Sequence, residues 1–391
     1  MRIKSLSKIS GAALVAAVSA VALLVSSPAL AAAPAAHSVA SHRVCALPIP
    51  GYAGCHALVV DGAPGKPAAT TSPTGLSPAT IKSAYGFSTS ATAGAGQTVA
   101  IVDAYNDPTA ANDLAVFSST FGLPACTVAN GCFRQVNQTG GSSLPRTNSG
   151  WALEISLDVQ WAHAIAPGAH ILLVEAKSAS FTDLLAAEQY AANNAAYVSN
   201  SWGGSESSGE SQYDASFAKP GVSYFVSAGD AGLPAEYPSA SPNVISVGGT
   251  LLTFTSGGAL ASETGWSSGG GGCSAYETAT SAQAAFSGYA QVSCAGKRAT
   301  PDVSLDADPA SGVSVYDTTK YSGQAGWFRV GGTSASSPMW AARSAVAGAL
   351  VNSSYVYGRA SSTFRDITAG NNGAPCLVGF DLCSGRGSWI G

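Results

Sequence analysis

The octapeptide GGTSASSP, residues 331–338, stands where a predicted strand gives way to a predicted helix. Trp327 to Val330 has the apolar pattern of a strand, the two glycines permit a tight turn, and a helix should run through Ala349 with Pro338 near its first turn. Ser334 at such a junction has an exposed hydroxyl near backbone N–H groups and the positive helix end. The octapeptide therefore predicts a serine nucleophile; the alternative is an ordinary Gly/Ser-rich loop that caps a helix.

Upstream of this junction, patterns typical of strands and helices alternate along the chain. The predicted helices cover 78–85, 107–121, 151–166 and 181–194, and the predicted strands cover 97–102, 169–175, 196–202, 222–228 and 244–247. Parallel strands joined by helices predict an α/β fold, with three layers (α/β/α) around a mostly parallel, doubly wound sheet. Functional residues of such sheets cluster beyond the carboxyl ends of the strands, which is where Asp103, Trp202 and Asp230 stand.

The bulk composition favours a globular protein and argues against two classes of partner. The chain has 391 residues, 46% of them hydrophobic and 10% charged, so it can form one large domain or two smaller ones. With a net charge of −4, nothing indicates a nucleic-acid or anionic-membrane partner. No stretch after the N-terminal region is long and apolar enough to span a bilayer.

The N-terminal region has the pattern of a secretion signal. Residues 1–31 combine a basic start, an apolar run over 11–25 and a small-residue cleavage pattern at Ala29-Leu30-Ala31. A membrane anchor is the alternative, and the short apolar run argues against it. Residues 32–75 are rich in Ala, Pro, Gly and Ser, so they are interpreted as a short pro-region or linker before a domain over 76–391. The prediction is a secreted, extracellular protein.

The eight cysteines fit an oxidising compartment. Their spacing suggests local, sequential disulfides, although other connectivities stay open. The suggested pairs are Cys45–Cys55, Cys126–Cys132, Cys273–Cys294 and Cys376–Cys383. A metal site built from cysteines is disfavoured because no Cys-x-x-Cys occurs.

Glu154 and Asp158 lie four residues apart in a predicted helix and so share one helix face. Two solvated acids on a polar face are the alternative. The surrounding residues are mostly apolar, which predicts that the pair is partly buried. Close, partly buried carboxylates share a proton and one pKa rises, which suits a group that acts as acid and base.

Together these motifs resemble those of the sedolisins, the serine-carboxyl peptidases with a subtilisin-like fold. The resemblance covers about residues 76–391, in the family's order, through Glu154–Asp158, Ala166–Ala169, Ser199–Gly203, Ala228–Asp230, Pro301–Val303, Gly332–Ser334 and Phe364-Arg-Asp366-Ile367-Thr. It implies Ser334 as nucleophile, Glu154 as base and Asp158 as its partner. Asp230 matches an oxyanion-binding asparagine of subtilisin-like enzymes, and an aspartate can donate there only when it is protonated. The Ser334 N–H would be the second oxyanion donor.

The resemblance also implies a wider set of site residues. Asp103 and Trp202 match positions that extend the carboxylate network, and Glu236 matches a position near the S1 pocket that would favour a basic side chain before the cleaved bond. Gly269 and Gly270 match substrate-lining backbone. Family members usually carry a large folded prodomain, for which residues 32–75 are too few.

One structural calcium ion is the cofactor that the resemblance implies. Its ligands would be the carboxylates of Asp366 and Asp381 and the carbonyls of Ile367, Leu377 and Gly379, a set of hard oxygens that suits calcium. A turn rich in Asp, Asn and Gly without an ion is the alternative.

The sequence thus predicts a secreted, monomeric endopeptidase that hydrolyses proteins or peptides at acidic pH. The alternative is a catalytically silent binding or adhesion protein on a peptidase fold. Two other catalytic interpretations are disfavoured. His163 is offset from the acid pair, and the esterase-like Gly265-Trp-Ser-Ser-Gly269 runs into glycines rather than into a helix.

Overall fold

The computed structural model describes residues 39–63 and 65–390, so the predicted signal peptide lies outside the described residues. The helices of the described residues are α1 (Pro78–Tyr85), α2 (Ala110–Thr120), α3 (Ser149–Ile165), α4 (Phe181–Asn194), α5 (Ser281–Ala285), α6 (Thr333–Ala347) and α7 (Ser353–Gly358). The strands are β1 (Ser41–Arg43), β2 (Gly54–Cys55), β3 (Leu58–Ala63), β4 (Lys66–Pro67), β5 (Thr98–Ala104), β6 (Phe133–Asn137), β7 (His170–Ala176), β8 (Tyr197–Asn200), β9 (Trp202–Ser205), β10 (Ser223–Ser227), β11 (Glu236–Tyr237), β12 (Ile245–Phe254), β13 (Leu260–Gly265), β14 (Gly272–Thr278), β15 (Lys297–Thr300), β16 (Val303–Asp306), β17 (Val313–Tyr321), β18 (Gln324–Gly331), β19 (Phe364–Arg365) and β20 (Ser388–Trp389).

A mostly parallel sheet forms the centre of the fold. Its strands follow the order β13-β12-β10-β8-β5-β7-β6, and β16 pairs with β12 as well. Apart from the antiparallel β12–β13 pair, every pairing in this sheet is parallel. Its inner strands are nearly continuous apolar runs such as TVAIVDA in β5, because they are covered on both faces.

Helices cover both faces of this sheet. The helices α3 and α6 pack against each other and against its inner strands, and α4 covers the other face against β5 and β7. The large buried side chains of the core include Trp161 on α3 and Trp340 on α6. The predicted three-layer α/β fold with a mostly parallel sheet is confirmed.

Several element boundaries differ from the predicted ones. The predicted strand over 196–202 is two strands, β8 and β9, because the chain leaves the central sheet at Ser201. The helix expected from residue 107 begins at Ala110. The helix expected through Ala349 ends at Ala347, since Gly348 adopts a left-handed conformation with φ 60°. Pro338 lies in the second turn of that helix, not in its first.

A second sheet lies beside the first and includes residues interpreted from sequence as pro-region or linker. Its order is β1-β3-β18-β17, with β4 paired to β3. The strand β18 ends at Gly331, directly before the octapeptide that holds Ser334. Residues 41–67 therefore pack against the element that leads into the predicted site.

Four disulfides are formed, and they are the four local pairs that the spacing suggested. They account for all eight cysteines of the chain. Among the described residues, no helix is both long enough and apolar enough to cross a bilayer.

Candidate functional site

Ser334 is the second residue of α6, and its neighbours explain how its hydroxyl is held. Pro338 has no N–H, so the carbonyl of Ser334 loses its helical partner four residues on. The Ser201 hydroxyl donates to that carbonyl at 3.4 Å, and the Ser334 hydroxyl donates to the Ser201 carbonyl at 3.3 Å. This reciprocal pair fixes the serine at the point where β8 ends.

Gly332, just before the helix, has a φ of 102°, which strongly favours glycine. A Cβ on this residue would lie 2.1 Å from the carbonyl oxygen of His56 and 2.8 Å from Oδ2 of Asp230. Glycine at position 332 therefore makes room for a carbonyl group and a carboxyl group on the same side of Ser334.

Three carboxyl groups converge behind the serine: Glu154 and Asp158 on α3, and Asp103 in β5. All three residues are 0% exposed, and no described group lies within hydrogen-bonding distance of their carboxylate oxygens. The structure thus brings together the predicted base, its predicted partner and the predicted third acid. The predicted partial burial of the acid pair is in fact complete.

Burial and mutual repulsion raise the pKa of every member of this group. Burial, then the charges of Asp158 and Asp103, hold the pKa of Glu154 well above its usual range, and the nearby Ser334 hydroxyl opposes this rise. Burial and then the charge of Asp103 do the same for Asp158. Burial raises the pKa of Asp103 to about 8. The group therefore retains protons at acidic and neutral pH, and a shared proton can move within it.

Trp202 is fully buried, and its indole Nε1–H donates to the carbonyl oxygen of Val102 at 2.9 Å. The contact supports the backbone next to Asp103 rather than reaching a carboxylate. Trp202 thus lies beside the carboxylate group as expected, but it contacts the main chain.

Asp230 follows β10 and faces the first residues of α6. Its Oδ1 accepts hydrogen bonds from the Thr333 N–H at 2.8 Å and from the Thr333 hydroxyl at 3.0 Å, while Oδ2 has no partner among the described residues. Burial raises the pKa of Asp230 to about 6, against the opposing charges of His56 and Arg43. Oδ2 is therefore the oxygen that would carry the proton of a neutral Asp230.

Glu236 lies in a pocket next to Asp230, and its Oε2 is 3.0 Å from Nε2 of His56. Burial alone would raise the pKa of this glutamate, but His56 and Arg43 bring it below its ordinary value. Gly229 leaves space for the carboxylate, because a Cβ there would be 2.8 Å from Oε1. An acid is thus held in the pocket where the sequence predicted one.

Gly269 and Gly270 lie against the loop that carries Asp230. The Gly270 N–H donates to the Gly229 carbonyl at 2.7 Å, and a Cβ on Gly270 would be 2.0 Å from the Ala228 carbonyl oxygen. Glycine is required there for close packing. Contact of either glycine with substrate stays a prediction.

His56 is the residue of this site that sequence reasoning missed. The Ser334 N–H, predicted to bind an oxyanion, donates to the carbonyl oxygen of His56 at 3.1 Å. No local pattern indicates this contact, since the two residues are far apart in sequence and meet through strand pairing. The presence of a histidine two residues before a predicted strand-like apolar pair carried no signal of its own.

The predicted calcium segment places Asp366 and Asp381 on either side of the loop 377–379. Asp366 Oδ2 accepts from the Gly379 N–H at 2.9 Å. Asp381, which is buried, accepts from the backbone N–H groups of Leu377, Cys383 and Ser384. Two carboxylates around one short loop form a donor set that fits a hard cation, although both are satisfied by N–H groups here.

A second acidic cluster, which sequence reasoning missed, consists of Asp107, Asp113 and Asp317. All three are buried, and one carboxylate oxygen from each lies within 4.8 Å of the others. Threonine hydroxyls bond to two of them, as from Thr319 to Asp107 at 2.8 Å. The chain thus contains acidic groups that could hold a metal ion in two places.

The two disfavoured catalytic interpretations find no support in the structure. His163 is buried on α3, where its Nε2 lies 2.9 Å from the Pro124 carbonyl oxygen, away from Ser334. The segment Gly265–Gly269 leads through irregular backbone into β14 and not into a helix. Neither forms a catalytic arrangement.

Comparison with known proteins places this architecture in a family. Residues 147–361, more than half of the chain, match the Subtilase family (Peptidase_S8). Sedolisin of Pseudomonas, a serine-carboxyl proteinase solved with two molecules of pseudo-iodotyrostatin, superposes with a TM-score of 0.69 at 30% identity, over 81% of this chain and 96% of that one. This chain belongs to the sedolisin group of the subtilase family.

Two relatives by sequence agree with that assignment. Kumamolisin of Bacillus sp. (strain MN-32) is 30% identical over 369 residues, which are 82% of this chain and 63% of kumamolisin. Sedolisin of Pseudomonas sp. (strain 101) is 34% identical over 197 residues, 42% of this chain and 32% of that protein. The chain therefore spans less than two thirds of the length of either relative.

Proposed function

We propose that this chain is a secreted serine-carboxyl endopeptidase that hydrolyses peptide bonds of proteins or peptides at acidic pH. The observation that carries the proposal is the convergence on Ser334 of three buried carboxyl groups on one side and of Asp230 on the other. No histidine takes part in the proton transfer, so a carboxylate must accept the serine proton.

In the proposed reaction the Ser334 hydroxyl attacks the carbonyl carbon of the substrate, and Glu154 accepts its proton. Asp158 and Asp103 hold the charge of Glu154 within a shared-proton group, so Glu154 can return that proton to the leaving amine. The Ser334 N–H and the protonated Oδ2 of Asp230 bind the developing oxyanion. The group works only at a pH where Asp230 keeps its proton.

Calcium is proposed as a structural cofactor bound by Asp366 and Asp381 together with the carbonyls of Ile367, Leu377 and Gly379. The ion would crosslink the loop 377–379 to its flanks, which the Cys376–Cys383 disulfide already closes. It would supply stability rather than chemistry, because the segment contributes none of the groups proposed to act on substrate. We further propose that the chain acts as a monomer.

The experiment is digestion of an acid-denatured protein and of a peptide library between pH 3 and pH 8. The wild-type chain should cleave both with a maximum at acidic pH, and Ser334→Ala should cleave neither. Glu154→Gln should lose activity to a similar degree, because the residues act as one unit. Equal cleavage by wild type and Ser334→Ala would refute the proposed function.

A further inference from the structure

Residues 54–59, here called the cleft segment, cross the site at Ser334 in extended form. The segment enters as β2, which pairs antiparallel with β9, and the His56 N–H then donates to the Ser201 carbonyl at 3.1 Å. It leaves as β3, which pairs antiparallel with the end of β18. An extended peptide that adds a strand on each side of a nucleophile is held as a peptidase substrate would be.

One carbonyl of the cleft segment faces the oxyanion donors, and it is that of His56. The Ser334 N–H donates to its oxygen at 3.1 Å. This oxygen and the unpartnered Oδ2 of Asp230 both lie within 3 Å of the point where Gly332 would carry a Cβ. The peptide bond presented to Ser334 is therefore the one between His56 and Ala57.

The side chain of His56 fills the pocket that ends at Glu236. It is 2% exposed, with Nδ1 2.7 Å from the Ser227 hydroxyl and Nε2 3.0 Å from the Glu236 carboxylate. Gly203 forms a wall of this pocket, since a Cβ there would be 2.8 Å from Cε1 of the imidazole. Both ring nitrogens are thus bonded, and the fit marks His56 as the residue before the cleaved bond.

The disulfide Cys45–Cys55 closes a loop directly before His56, with a sequence separation of 10. Closure of this loop restricts the conformations of the chain before it binds, which lowers the entropic cost of holding an extended segment in the cleft. The remaining disulfides all lie on the C-terminal side of Ala57. No disulfide of the chain would therefore hold the two parts together after a cut.

We propose that the chain cleaves itself between His56 and Ala57, within the same molecule; this inference rests on the proposed function. The Ser334 oxygen forms a bond to the carbonyl carbon of His56 while its proton passes to Glu154. The C–N bond then breaks, and the proton passes to the nitrogen of Ala57. One water molecule hydrolyses the ester, releases Ser334 and leaves a carboxyl group on His56.

Two consequences follow from this assignment. The uncut chain blocks its own cleft, so activity on other proteins requires that the cut fragment leave. The fragment is held after the cut only by pairing such as β1 with β3 and by the buried His56. The short N-terminal region thus acts as a bound substrate that is cut and lost, without a large folded prodomain.

The experiment follows purified chain, moved from neutral to acidic pH, by intact mass and N-terminal sequencing. Wild type should yield a chain that starts at Ala57 and a fragment that ends at His56 with its disulfide intact, and Ser334→Ala should stay uncut. The rate should be first order and unchanged over a twentyfold dilution. Wild type added to Ser334→Ala should leave the latter's His56–Ala57 bond intact on that timescale.

A pair of variants separates recognition of His56 from general effects on the loop. His56→Asp places a like charge beside Glu236 and should slow self-cleavage by at least about tenfold. Leu47→Asp makes the same kind of change in the same disulfide loop at a side chain that is 72% exposed, so its rate should match wild type. Equal rates for the two variants would refute the assigned pocket.

The outcomes distinguish this inference from the proposed function. If wild type digests denatured protein but the His56–Ala57 bond stays intact, self-cleavage is refuted and the peptidase stands. Cutting at another bond, or cutting of Ser334→Ala by added wild type at the same rate, refutes the intramolecular assignment. If wild type digests no protein at any pH, even after the N-terminal segment is removed by another protease, the proposed function itself fails.

Discussion

Asp230 offers the sharpest test of the site because its protonation state sets whether it can donate. Burial raises its pKa to about 6, so one pH unit above that value about one molecule in ten retains the proton, and two units above it about one in a hundred. If the oxyanion needs this proton, kcat/KM of the wild type should fall about tenfold for each pH unit. The fall should begin at higher pH in the cut form, since His56 and Arg43 lower this pKa and leave with the fragment.

Asp230→Asn removes the titration while keeping the shape. Its side-chain oxygen can still accept from Thr333, and its amide donates at every pH. The ratio of variant to wild-type kcat/KM should therefore rise about tenfold per pH unit above the wild-type midpoint, measured with an internally quenched peptide between pH 4 and pH 8. Asp230→Ala should lose about 10²–10³ in kcat at pH 5. The same pH limb in wild type and Asp230→Asn would refute the role of Asp230 as a protonated donor.

Three further predictions concern the pocket, the core and the calcium segment. Gly203→Ala should lower kcat/KM after histidine by at least about tenfold relative to cleavage after alanine, because its Cβ would meet an imidazole such as that of His56 at 2.8 Å; equal losses for the two peptides would contradict this. The pKa values of Asp103 and Asp317 are raised to about 8 and about 9, mainly by burial, so their stabilising effect is present at acidic pH and lost as pH rises toward these values; a melting temperature that rises from pH 5 to pH 9 would contradict this. Chelation should lower the melting temperature by an amount worth about 2.7 kcal/mol when calcium stands at a hundred times its Kd, and Asp381→Asn should remove this dependence; a melting temperature unaffected by chelator would show that the segment binds no calcium.

Local signals in the sequence were enough to predict the helices and the inner strands. The helix α1 was predicted with its observed bounds because Ser77 caps its first turn and Gly86 ends it in a left-handed conformation. The acid pair of α3 could be predicted because apolar residues surround it on a helix of known period. These features depend on residues within one or two turns of each other.

What the sequence did not predict depends on pairing between distant residues. The run AYVSNSW has no internal break, and it divides at Ser201 because β9 turns away to pair with β2 and β11. The same pairing carries His56 into the cleft, where its carbonyl takes the Ser334 N–H that was expected to be free for substrate. A region rich in Ala, Pro and Gly gave no reason to expect either contact.

Loss of activity above neutral pH has two possible origins in this chain, and they act in the same direction. Buried acids remote from the serine, such as Glu188 on α4 and Glu175 on β7, have pKa values raised to about 8, mainly by burial, so rising pH destabilises the fold as well as the site. Asp230→Asn leaves both of these acids unchanged and therefore unfolds over the same pH range as wild type. An activity limb that moves to higher pH in the variant, at an unchanged melting temperature, assigns the loss to the oxyanion donor, because unfolding would move both proteins together.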